Sequence, residues 1–295
     1  MSFRRHGEPG DERPERGFSG FLRSLLSGIP WSERAEREEM VTVDAPVSGA
    51  LRIHNPNGRT KVTGEDRRDI EVTAFKTARA ESEDAATDLL DDIRLVFAEG
   101  PEALELEVET PRKWNRRGAA HLCVRVPRTM KLAVSAANGR IQVEGIRGAV
   151  RARSTNGSAC VSDVVGDVDV STSNAKVSCT CIRGRLMARS SNGKIEIDEH
   201  RGAIDASTSN GLIRASVDDV GKEGIHLATS NGRIVLDLPD EVDAELDIRV
   251  DNGVIRNDRK LDKSTRETGG RVLGRLGAGG PLIKLRTSNG SISLH

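Results

Sequence analysis

An Asn-Gly pair that keeps returning constrains this 295-residue chain more than any other feature. It stands at Asn138-Gly139, Asn156-Gly157, Asn192-Gly193, Asn210-Gly211, Asn231-Gly232, Asn252-Gly253 and Asn289-Gly290, and Asn174-Ala175 fills the one gap in the series. From Asn138 to Asn210 the step is 18 residues four times running; the next two steps are 21, and the last is 37. A fixed period near that length marks a repeat architecture, in which each unit covers the apolar side of its neighbour.

Each 18-residue unit divides into halves of nine. The fourth position carries Ile141, Ala159, Val177, Ile195, Ile213, Ile234, Ile255 and Ile292. The sixth carries Val143, Val161, Cys179, Ile197, Ala215 and Leu236, and the ninth Ile146, Val164, Ile182 and His200. The second half has glycine at its second position (Gly148, Gly166, Gly184, Gly202), then apolar residues at Val150, Val168, Leu186 and Ile204 and at Ala152, Val170, Ala188 and Ala206. This is period-2 alternation, so each half reads as a short strand with one face inward. Asn and Gly suit turns because they adopt positive φ at least cost. The expected fold is all-β: a β-solenoid of stacked coils with small inward side chains. The column Ser154, Thr172, Ser190, Thr208, Thr229 and Thr287, like the Asn column, is expected to hydrogen-bond from coil to coil.

Two other repeats with related periods fit less well. Calcium-binding nonapeptide rolls need a G-G-x-G-x-D run, which this chain lacks. Hexapeptide helices need an aliphatic residue every sixth position, whereas the apolar positions here are 4, 6, 9, 13 and 15.

Outside the regular coils the chain divides into an N-terminal tail over 1–40, a less regular β region over 41–135 and the repeats over 136–295. The tail is charged and bears Gly and Pro, so it reads as disordered. Within it, Phe18, Phe21, Leu22, Leu25, Leu26, Ile29 and Trp31 have the spacing of an amphipathic helix over 18–29, suited to a membrane surface, a partner, or a cap on the first coil. Asn57-Gly58 opens a first coil. Residues 81–93 read as one short acidic helix, with Glu81 to Asp84 in the first turn where the helix dipole favours them. Strands are expected near 94–98, 103–109, 121–126 and 131–135, with a basic loop around Trp114. The chain stops five residues after Gly290, within a coil, so a bare final coil and end-to-end assembly are expected.

Composition narrows the function. Lys+Arg and Asp+Glu are both 45, which gives no global pull toward nucleic acid or an anionic membrane. The last aromatic is Trp114, so the coils offer no ring for stacking bases or sugars. Cys123, Cys160, Cys179 and Cys181 lack paired metal-site spacing and read as small core or surface residues of a reducing compartment. No run of 18 apolar residues and no secretory pattern appears, so the expected location is cytoplasmic, with peripheral membrane contact through 18–31.

The segments NPNGRTKVTG at 55–64, DIEVTAFKTA at 69–78, the acidic helix, VRVPRTMKLAVSAANGRIQVEG at 124–145 and GGPLIKLRTSNGSISL at 279–294 carry a family signal. In their order and spacing the chain resembles the bacterial putative-adhesin domains of unknown function with β-strand repeats. The resemblance covers about 41–294. It implies a right-handed β-helix or roll without established catalytic residues; from the residues themselves, which carry no metal-ligand motif, no metal and no cofactor is expected.

The reading of function that follows is a non-enzymatic interaction scaffold, binding a protein partner or its own kind, with no nucleic acid and no small-molecule substrate evident. The alternative is a carbohydrate-active β-helix enzyme. Asp169 and Asp205 share one outward column, two coils and roughly 9.5 Å apart, the upper range for an inverting carboxylate pair. Arg151 in that column favours a charge ladder instead. A second column, Arg140, Lys176, Lys194 and Arg233, could follow an anionic polymer unless acids such as Glu144, Asp198 and Asp237 neutralise it.

Overall fold

The computed structural model describes residues 33–111, 117–262 and 265–295. Phe18, Phe21, Leu22, Leu25, Leu26, Ile29, Trp31 and Trp114 lie outside the described residues. Chain order begins with β1 (Glu33–Asp44), β2 (Ala50–Asn55), β3 (Thr60–Glu65), β4 (Asp69–Ala80), α1 (Glu83–Asp92), β5 (Arg94–Glu99), β6 (Leu104–Glu109) and β7 (Arg117–Pro127). Regular coils follow as β8 (Lys131–Ala136), β9 (Ile141–Ile146), β10 (Val150–Ser154), β11 (Ala159–Val165), β12 (Val168–Thr172), β13 (Val177–Arg183) and β14 (Leu186–Ser190). The rest are β15 (Ile195–Asn210), β16 (Ile213–Asp237), β17 (Ala244–Asn257), β18 (Arg266–Thr268), β19 (Arg271–Leu276) and β20 (Leu282–Leu294).

The fold is a β-solenoid. On the face that follows each Asn-Gly corner, β3, β9, β11, β13 and the start of β15 stack in parallel. On the opposite face β2, β8, β10, β12, β14 and the end of β15 do the same, in the register the 18-residue period requires: Val150 faces Val168, which faces Leu186. The inward columns at positions 4, 6 and 9 are buried, Ile255 alone being half-buried, and they join the apolar residues of the second half in one core that runs from Leu51 to Leu294.

The step from position 6 to 9 has a backbone cause. Asp163, Cys181 and Glu199 adopt left-handed φ of 51°, 55° and 53°, and Gly145 shares their position with φ 75°. Each is an extra residue, a bulge that returns the next side chain to the interior. Strict alternation would have turned Ile146, Val164, Ile182 and His200 outward.

The expected positive φ holds at the corner glycines Gly58, Gly253 and Gly290, with φ of 132°, 150° and 149°, but glycine is selected at other corners for a different reason. Gly157 and Gly193 do not have positive φ; instead a Cβ on Gly157 would stand 1.8 Å from the Gly139 carbonyl oxygen, and one on Gly193 1.8 Å from that of Ala175. At these two corners close stacking of one coil's backbone on the next, not turn geometry, selects glycine.

At one end of the stack the first face continues through β7, β4 and β1, all antiparallel to their neighbours from β4 outward, and the second through β6 and β5. Helix α1 starts at Ser82, whose hydroxyl accepts from the Ala85 amide at 3.2 Å, and buries Ala85, Ala86, Leu89 and Leu90. Lys76 on β4, itself buried, donates to the Ile93 carbonyl at 2.7 Å and meets Glu39 of β1 at 2.5 Å, tying helix and strands together. Strand β1 begins at Glu33, within the segment expected to be tail, because residues 33–44 find a complete antiparallel partner in β4.

The other end departs from sequence order. Strand β20 lies between β16 and β17, parallel to both. The strand expected to form a bare last coil is therefore interior, and β17 is the outer level. Beyond β17 the second face alone continues, through the hairpin of β19 and β18.

Candidate interaction surfaces

The corner asparagines form one continuous ladder. Asn138 Nδ2 donates to Asn57 Oδ1, and the same bond repeats from Asn156, Asn174, Asn192, Asn210, Asn231, Asn289 and Asn252, each to the preceding level, at 2.9–3.0 Å. The expected Ser/Thr column lies just inside. Thr172 donates to the Gly157 carbonyl at 3.1 Å, Thr208 to Gly193 at 3.1 Å and Thr287 to Gly232 at 3.2 Å, each bond crossing from one coil to the one before it in the stack. In the first coil Asn55 takes this role, donating to the Ala120 carbonyl at 2.8 Å. All the corner residues expected from the sequence, including Gly139, Gly211, Gly232, Gly253 and Gly290, thus fall on one edge of the stack.

The two outward carboxylates are held by different basic partners. Asp169 and Asp205 are separated by Met187, as the column predicts. Asp169 is held by Arg151 at 3.1 Å and Arg153 at 3.4 Å, while Asp205 meets Arg189 at 3.5 Å and His226 at 3.8 Å. The hollow beside Asp169 is lined by Arg52, Arg151, Arg185 and Met187 and does not reach Asp205.

The middle of the basic column is paired with acid, though by a residue other than those expected. Glu196 takes both Lys176 and Lys194, which hold its carboxyl below the usual range, Lys176 contributing most. Glu144 pairs with Lys61 at 2.7 Å and Asp237 with Arg214 at 3.7 Å. Arg140 and Arg233 instead donate to the next level's serines, Ser158 at 3.0 Å and Ser291 at 3.1 Å.

With this geometry in place, residues 49–295 match Toastrack DUF4097. The chain belongs to that family. Solved structures similar to the Toastrack chain include the following. A putative adhesin from Bacteroides fragilis NCTC 9343 is 13% identical, covering 90% of this chain and 99% of that one, with a TM-score of 0.48. A putative cell adhesion protein from Clostridium sporogenes ATCC 15579 is 10% identical over 88% and 99%, with a TM-score of 0.30. A putative adhesin from Parabacteroides merdae ATCC 43184 is 11% identical over 88% and 96%, with a TM-score of 0.29. No curated protein matches the sequence significantly.

The remaining sequence candidates in this Toastrack stack are structural. His200 is fully buried at position 9; its Nε2 lies 3.3 Å from the Ala203 carbonyl, its Nδ1 has no partner, and burial holds its pKa below 6.5. Cys179 is buried and its thiol is pushed up to about 12 by burial. Cys181 donates to Glu199 at 2.8 Å, and that bond first, then burial, raises its pKa. Among the described residues no group of three His, Cys, Asp or Glu is placed to hold a metal ion, and no helix is long and apolar enough to cross a membrane.

Sequence reasoning missed one surface. Among the described residues, 252–257 of β17 pair with β20 on one side only, and Val254 is 56% exposed there. The signal was the 37-residue step from Asn252 to Asn289, which marks where sequence neighbours stop being stack neighbours.

Proposed function

We propose that this protein is a non-enzymatic interaction scaffold: a stiff β-solenoid that presents long faces to a protein partner or to its own kind. The observation that carries the reading is the continuous amide ladder over a continuous core, which makes every level a fixed platform while outward acids such as Asp169 and Glu196 are held by basic neighbours. A catalytic groove needs convergent, solvent-shielded polar groups, and the two outward aspartates are instead spread along an open face and held by arginines. Residues 18–31 act in this reading as the tether to a partner or to a membrane surface from the cytoplasmic side; in sequence they end one residue short of β1.

Sedimentation velocity and liposome flotation on the full chain and on a chain lacking residues 1–32 test both halves. The scaffold reading expects the deletion to leave the solenoid folded and to abolish flotation or change the assembly state. Unchanged flotation and assembly would remove the tether. Glycan cleavage by the full chain that disappears on replacing Asp169 and Asp205 with Asn would overturn the scaffold itself.

A further inference from the structure

We infer that the outer edge of β17, residues 252–257, is an acceptor for one added parallel strand carrying Asn-Gly followed by an aliphatic residue two positions on. The inference rests on the scaffold reading and names the chemistry of a partner for it.

The edge is open and shaped. On the first face the stack stops at Asn252–Asn257, whereas on the second face β19 and β18 continue two strands further, about 10 Å. A second rod abutting squarely is held off by that step; a single extended segment fits beside it. Behind the vacant level, Ile255 and Leu261 are half-buried and pack on the core, giving the added strand an apolar floor. The edge also lacks the protection seen at the other end. Seven of the twelve residues of β1 are charged, as befits an edge kept from pairing, whereas 252–257 carries Arg256 alone and no proline.

The ladder specifies what fits. Each corner Asn from 138 onward donates Nδ2 to the level before it, so Asn252 gives its amide to Asn289 at 3.0 Å and its own Oδ1 faces the vacant level as an acceptor. An incoming Asn supplies the matching donor. The residue after it meets the constraint met at the neighbouring levels: a Cβ on Gly253 would lie 1.6 Å from the Gly290 carbonyl oxygen, and one on Gly290 1.8 Å from that of Gly232. Two residues beyond that glycine, the inward column Ile234, Ile292, Ile255 calls for another aliphatic side chain. Strand addition of this kind draws affinity from main-chain hydrogen bonds and selectivity from alternate side chains.

An acetylated peptide of residues 288–294, Ser-Asn-Gly-Ser-Ile-Ser-Leu, is the probe. Titrated into the full chain, it is expected to slow amide exchange at 252–257 and to bind about fivefold more weakly to the exposed-site variant Val254→Lys. The peptide with Gly290→Val is expected not to bind. Equal binding of the two peptides, protection elsewhere on the molecule, or no binding would each overturn the acceptor. Such a failure leaves the scaffold reading standing on its own test, since flotation and assembly do not depend on this edge.

Discussion

Asn289 donates its side-chain amide to Asn231 at 2.9 Å, across 58 residues of sequence, although Asn252 lies between the two in the chain. The ladder is continuous in space while the sequence that builds it is not. Its members are therefore unequal, and mutation should expose the difference. Asn192 both donates to Asn174 and accepts from Asn210, whereas Asn252 makes one ladder bond. Asn192→Ala is expected to cost about 1–2 kcal/mol and Asn252→Ala about half of that, read from urea unfolding midpoints.

The corner glycines should resist even a methyl group. Gly193→Ala places a Cβ against the Ala175 carbonyl, which is backbone and cannot swing aside. A loss of about 2–4 kcal/mol is expected, while Ala175→Gly, where the chain already accommodates a methyl, should change stability by less than about 1 kcal/mol. Thermal unfolding of the two variants side by side checks this.

His200 should make the stack acid-sensitive. Its folded pKa lies below the unfolded value of 6.5, so in the interval between them the unfolded chain binds more protons. Stability from this group is full above about pH 6.5 and is lost as pH falls toward the folded value. The column neighbours Ile182 and Val217 show that an aliphatic residue fits. The gap in unfolding free energy between His200→Val and the parent should widen from pH 8 to pH 5.5; a gap independent of pH would refute the assignment.

Thiol labelling should rank the cysteines. With its thiol near 12 and no exposure, Cys179 is expected to react only on unfolding. Cys181 is exposed but held protonated by Glu199, so Glu199→Gln should accelerate its labelling at pH 8 with a colorimetric disulfide reagent.

Lys76 should be a structural pin. Replacing it with Met removes the donor to the Ile93 carbonyl and frees Glu39. A cost of about 1–3 kcal/mol is expected, with α1 losing amide protection before the coils do.

Much of this was legible in the sequence because the repeat encodes position directly. The register of β8 to β15, the buried columns at positions 4 and 6 and the Ser/Thr bonds follow from a period of 18 and alternation within it, and helix α1 from the acidic first turn at 81–84. What was not legible has common physical causes. The bulge at Asp163, Cys181 and Glu199 is a backbone state that ordinary residues seldom signal. The interior place of β20 is a tertiary choice: Ile292 could stack on Ile255 or on Ile234, and it does both. Glu196, the partner of Lys176 and Lys194 in the basic column, lies at position 5 of the coil, two residues from position 7 where the flanking acids were sought. For Phe18 to Trp31 the described residues offer no check.

The placement of β20 has a consequence for synthesis. A solenoid whose levels follow chain order can grow level by level as it leaves the ribosome, each new coil landing on a finished one. Here that growth runs from β8 to β16 and then halts, because the next level in space is made only after β17, β18 and β19. Until residues 282–294 arrive, the β16 edge and the β17 hairpin have no common wall. The far third of the molecule must wait, then close in one step. A nascent chain paused before Leu282 is expected to expose two unpaired parallel edges at once, the state in which holdase chaperones would find it.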